Sequence, residues 1–180
     1  MPLKPPFETL VESHSAEIFG YLWRMLTDSI EAEDCLQETF LRAYRAYPRL
    51  QSTSSLRAWL YRIATNVART HLKRGLRIAA HTTDLDPDLL QGGPSAPARY
   101  EHQQALAAIA VAVDTLPTKQ RAALLMRKYQ EMEYADIALA LDCSQAAARA
   151  HVYQALKKLR LHFASRPQET AYGNENNALT

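Results

Sequence analysis

At 180 residues the chain suffices for one ordinary domain or two small ones, and a hydrophobic content of 47% argues against wholesale disorder. Two cysteines, Cys35 and Cys143, argue against a disulfide framework, and six scattered histidines form no zinc spacing, so neither metal nor cofactor is expected and a reducing cytoplasm is the expected location. The formal net charge is only +2, so the distribution of charge carries more information than its sum.

Met1–Pro6 has no apolar core of the signal-peptide type. Few glycines and abundant alanine, leucine, arginine and glutamine predict an all-α fold. The first helix is predicted over Phe7–Met25, where Leu10, His14, Ile18, Tyr21, Leu22 and Met25 recur at helical spacing. Asp28 or Ser29 caps a second helix through Tyr47, which Pro48 ends. This first stretch is acidic, with Glu8, Glu12, Glu17, Asp28, Glu31, Glu33, Asp34 and Glu38 against Lys4 and Arg24. Glu31, Asp34 and Glu38 share one helical face, with Gln37 beside them. That face is either solvated or a dock for a basic protein surface.

From Leu41 to Ala80 the balance reverses. Arg42, Arg45, Arg49, Arg57, Arg62, Arg69, Lys73, Arg74 and Arg77 meet no acid. Ser52–Ser55 offer caps for a third helix reaching about Arg77. Leu56, Leu60, Ile63, Ala64 and Val67 form its core stripe, and Trp59, Arg62, Asn66, Arg69 and Lys73 fall on the opposite side. A guanidinium holds phosphate, an amide pairs with a base edge and an indole stacks on an unpaired base. The alternative is a solvated basic helix with its Trp buried.

Asp84–Asp88 and Gly92–Pro97 predict a flexible acidic linker, placed over 79–103. It separates an N-terminal domain over 1–78 from a C-terminal domain over 104–166, with a disordered tail over 167–180. The second domain reads as helices over Gln104–Thr115, Thr118–Tyr129, Tyr134–Leu141 and Ser144–Phe163. Its most apolar run, Ala105–Val113, is too short to span a bilayer. Tyr134–Leu141, a turn through Asp142–Cys143 and a Ser144-capped helix have the spacing of a helix-turn-helix. Ala148, Val152, Ala155, Leu156 and Leu159 face inward. Gln145, Arg149, Tyr153 and Lys157 step along the outside, and Lys157, Lys158 and Arg160 stand ready for phosphates. An ordinary αα-hairpin is the alternative. The chain has no phosphate loop, dinucleotide fingerprint or nucleophile elbow, and no catalytic constellation stands out.

Asp28–Tyr44, Leu56–Asn66, Leu116–Arg121 and the helix-turn-helix together resemble the extracytoplasmic-function (ECF) σ factors of bacterial RNA polymerase. The resemblance covers nearly all of the chain outside linker and tail. It implies a σ2-like bundle and a σ4-like helix-turn-helix domain in a transcription initiation factor that is not an enzyme. Its partners would be core RNA polymerase (the β′ clamp helices and the β flap), promoter DNA and an anti-σ factor, with no membrane insertion. Glu31, Asp34, Gln37 and Glu38 would dock on the clamp helices. Arg49, Trp59, Arg62, Asn66, Arg69 and Lys73 would recognise and melt the −10 element, with the Pro48–Ser55 loop holding a flipped base. Gln145, Arg149, His151, Tyr153, Gln154, Lys157 and Lys158 would contact the −35 element. Where the family carries a Gly-Thr-Val step and several arginines, this chain has Ala146-Ala147-Ala148, His151 and Gln154. Fewer cations imply weaker, less salt-steep phosphate binding. A stand-alone helix-turn-helix regulator of duplex DNA is the second reading, and a σ-like module held by a partner protein the third.

Overall fold

The computed structural model describes residues 4–50, 55–81 and 108–164. Every regular element among them is helical. They are α1 (Phe7–Leu26), α2 (Ser29–Ala46), a short 3-10 turn (Tyr47–Arg49), α3 (Leu56–His81), α4 (helical over 108–114), α5 (Thr118–Lys128), α6 (Tyr134–Leu141) and α7 (Gln145–Ala164). The expected caps Ser52–Ser54, most of the expected linker and the tail lie outside the described residues.

Local chemistry sets most boundaries. Asp28, in extended conformation, accepts a hydrogen bond from the Glu31 amide at 2.9 Å and starts α2. Pro48 ends α2, and the chain leaves through the 3-10 turn, where the Tyr47 hydroxyl donates to the Pro5 carbonyl at 2.6 Å. α3 runs to His81, beyond the expected Arg77. α6 spans Tyr134–Leu141 as its spacing predicts.

α1, α2 and α3 pack together around Ile18, Tyr21, Leu22, Met25, Leu60, Tyr61 and Ala64, all fully buried. α5, α6 and α7 form a second group, into which α7 turns Ala148, Val152 and Ala155. The two groups share one continuous core, because Met126, Met132 and Ile137 join the cluster that contains Tyr21 and Tyr61. α6 lies against α3, and α5 touches α1.

Arg121, only 5% exposed, ties these helices together. Its guanidinium donates to the Met25 carbonyl at the end of α1 (2.6 Å) and to the Val113 carbonyl (3.1 Å), and it pairs with Asp114 at 2.6 Å. The Met25 carbonyl is one of the four that a helix C-terminus leaves without an intrahelical donor. Removing the guanidinium leaves the Met25 and Val113 carbonyls without this donor, and a buried acceptor left unpaired is costly. Arg121→Ala is therefore expected to lower the unfolding free energy by about 3 kcal/mol, read from urea midpoints, whereas exposed Arg45→Ala stays within about 0.5 kcal/mol.

Candidate nucleic-acid interface

Arg62, Asn66, Arg69 and Lys73 project from the outer side of α3 and are exposed. Trp59 lies between its two expected placements, outward on this face or buried. It is half-buried at the rim of the core, with its ring 6.2 Å from that of Tyr47, which the 3-10 turn carries to this position. Its remaining surface opens on a cavity of about 300 Å³ between α2 and α3, lined by Arg42, Ala46, Trp59, Arg62, Ile63 and Asn66. An indole, an amide and two guanidiniums thus converge on one space. Arg69 donates to Asn66 Oδ1 at 3.1 Å. Arg49 is exposed at the end of the 3-10 turn and does not line this cavity.

The other side of Arg62 and Asn66 faces a second cavity of about 230 Å³, closed by Thr118, Lys119 and Asp142 from the C-terminal helices. Here Arg62 pairs with Asp142 at 3.1 Å. Both partners are well exposed, so the pair contributes about 0–1 kcal/mol. Two further contacts join the halves at the start of α3. Ser55 Oγ donates to Asp136 at 2.7 Å, and Arg57 donates to the Gln130 carbonyl at 2.9 Å while gripping Glu17 with Nε and Nη2. Burial raises the Glu17 carboxyl, but hydrogen bonds and charges from Arg57 and His14 outweigh it and hold it below the usual carboxylate range.

The four candidate docking residues on α2 do not behave alike. Asp34 and Gln37 are exposed, whereas Glu31 is half-buried and reaches His71 on α3 at 3.2 Å. Glu38 accepts from Arg42 Nε at 2.5 Å. Beneath them Cys35 is buried, and burial together with the carboxylates of Glu31, Asp34 and Glu38 pushes its thiol up to about 11. It is inert at neutral pH, chiefly because it is buried.

The helix-turn-helix has the expected build. Asp142 takes the left-handed conformation (φ 52°) after α6, the Cys143 amide donates to the Ala138 carbonyl at 3.0 Å, and Ser144 Oγ accepts from the Ala147 amide at 3.1 Å. Gln145, Arg149, Tyr153, Gln154, Lys157 and Lys158 are exposed along α7. The Arg149 guanidinium lies 5.2 Å from the Tyr134 ring centre. His151 is half-buried, and burial, then the charge of Lys119, pushes its ring down. It stays neutral at pH 7 and offers a hydrogen bond rather than a cation.

Sequence periodicity missed three residues that shape these sites: Arg42, Asp142 and Arg121. Arg42 stands four residues after Glu38, a legible i,i+4 pair, but its cavity depends on how α2 meets α3.

Residues 10–78 match the σ70 region 2 family, and residues 106–159 match σ70 region 4. The chain is 31% identical to the RNA polymerase sigma-H factor of Pseudomonas aeruginosa, over 84% of this chain and 83% of that one. It is 28% identical to the ECF RNA polymerase sigma factor SigE of Mycolicibacterium smegmatis, over 93% of this chain but 65% of that one. In fold it is similar to the sigma factor RpoE of Bartonella quintana, solved with the anti-sigma factor NepR. That match has a TM-score of 0.67 and 19% identity, and it covers 88% of this chain and 97% of that one.

The lowered Glu17 predicts an acid dependence of stability. The unfolded carboxyl titrates near about 4.3. Its contribution is complete above that value and is lost as pH falls through the lower folded value. Urea midpoints are expected to drop on acidification across this window, and Glu17→Gln is expected to remove that part of the slope.

Proposed function

Because the chain belongs to the ECF branch of the σ70 family, factors of transcription initiation, we propose that it binds core RNA polymerase and directs it to a restricted set of promoters through α3 and α7. The observation that carries this reading is the cavity beside α3. An indole edge, an amide and guanidiniums suit an unpaired base and the phosphates next to it.

In this reading Trp59 stacks on a base of the melted −10 strand, Asn66 pairs with a base edge, and Arg62, Arg69 and Lys73 hold phosphates, with Arg49 at the approach. Asp34, Gln37 and Glu38 meet the basic surface of the β′ clamp helices, and Glu31 acts partly through His71. The α6–α7 hairpin contacts the −35 element through Gln145, Arg149, Tyr153 and Gln154. His151 serves as a neutral partner, and Lys157 and Lys158 lie beside phosphates. The chain works with polymerase in the cytoplasm and performs no chemistry itself. Among the described residues no helix is long and apolar enough to cross a membrane. An anti-σ partner is part of the proposal, supported by the fold shared with a σ factor solved in such a complex.

Promoter binding through Arg62 requires exchange of its Asp142 partner for phosphate. The exposed pair is weak enough to permit this. Asp142→Asn is expected to raise affinity for single-stranded DNA at most about fivefold, measured by fluorescence anisotropy.

Run-off transcription with core enzyme on a randomised-promoter library tests the function directly. Transcripts starting downstream of a shared −10 sequence are expected. Binding to core without any selected promoter would contradict the proposal, and stable duplex binding without affinity for core would favour the stand-alone regulator. On a selected promoter, Asn66→Ala is expected to change −10 base preference. Lys73→Ala weakens all −10 variants equally and reduces the slope of log affinity against log salt by about 0.7.

A further inference from the structure

The cavity beside α3 has two walls of different chemistry. α3 supplies the indole of Trp59, the amide of Asn66 and Arg62, whereas α2 supplies Arg42 and the small side chain of Ala46. Arg42 is thus the one cation that α2 brings to this space. Its Nε donates to Glu38 one turn earlier on the same helix at 2.5 Å. That bond engages one edge of the guanidinium, and the described contacts leave its two terminal nitrogens uncommitted. This exposed i,i+4 pair is weak, so it biases the orientation of the planar fork and leaves the remaining donors available. Arg42 stays about half exposed, so a ligand can reach it.

Arg62, the other guanidinium of the cavity, is occupied differently. It reaches across to Asp142 on the C-terminal side, and once released it meets phosphate as well as Arg69 or Lys73 does. Arg42 instead faces Trp59 and Asn66 across the cavity. A base stacked on the indole would present its edge to that fork.

We propose that Arg42 is a specificity-determining residue that reads, with its two terminal nitrogens, a base edge carrying two adjacent acceptors. This inference rests on the reading of α3 as the −10 helix. Guanine offers such an edge at O6 and N7, and cytosine at O2 and N3; adenine and thymine alternate donors with acceptors on theirs. Glu38 biases the fork through its contact with Nε and also belongs to the docking face, so base reading and polymerase docking meet on one turn of α2.

The test uses the full chain bound to core RNA polymerase and an end-labelled pool of randomised single-stranded DNA, with retained strands sequenced. The wild-type chain is expected to enrich guanine or cytosine at one position. Arg42→Ala is expected to lower retention about tenfold and flatten that position. Arg42→Lys keeps most of the retention, because the charge remains, yet flattens the same position, because a point charge lacks the fork. Thermal unfolding of both variants checks the fold, and the lysine variant keeps the result readable if alanine destabilises α2. An unchanged base preference in both variants, or enrichment of adenine or thymine alone, overturns the assignment and leaves the −10 reading standing. A wild-type complex that enriches no sequence overturns both.

Discussion

Tyr61 and Thr65 press α3 against α1, and this contact fixes which side of the helix carries the exposed Arg62, Asn66, Arg69 and Lys73. The Tyr21 and Tyr61 rings meet edge to face at 5.0 Å. Thr65 spends its proton on the Tyr61 carbonyl at 2.7 Å, so the Tyr21 hydroxyl must be the donor in its 2.8 Å bond to Thr65. Complete burial pushes the Tyr21 phenol far above its ordinary range, so it remains a proton donor at any working pH. A one-residue rotation of α3, about 100°, would break this chain, expose Tyr61 and drive Arg62 toward the core. Exposing one large side chain alone costs about 1.5–3 kcal/mol, and an orphaned buried cation would add more. The basic face is thus a consequence of the apolar one.

The same reasoning separates the contacts that hold the two helical groups together from those that only mark where they meet. Arg62–Asp142 is exposed and weak, and salt screens it further. The hold comes from Met126, Met132 and Ile137 in the shared core and from Arg121 on the end of α1. If α6 moves away from α3 when promoter DNA arrives, the Arg62 pair offers little resistance. The apolar contacts and the Arg121 bonds set the cost, and contacts with the polymerase and DNA must offset it.

Much of this architecture was legible in the residues. The period of three to four placed the helices, Asp28 and Ser144 announced their caps, and Pro48 announced a stop. The outward set Arg62, Asn66, Arg69 and Lys73 followed from the apolar stripe of α3. What stayed hidden depends on pairs far apart in sequence. Trp59 is half-buried because the 3-10 turn brings Tyr47 beside it. Arg62 is tied to Asp142, and Arg121 to Met25, across helices that periodicity reads one at a time. The cavity needs α2 and α3 together, so Arg42 entered the candidate site only through the fold.

In the proposed function the outer face of α3 holds promoter DNA in its melted form. Permanganate reactivity of thymines tests it most directly, on a promoter selected with this chain and core enzyme. Reactive thymines are expected to be confined to the −10 region with the chain and core together, absent with core alone, and strongly reduced for Trp59→Ala. Unreactive thymines in a stable promoter complex, or reactivity that Trp59→Ala leaves intact, would contradict it.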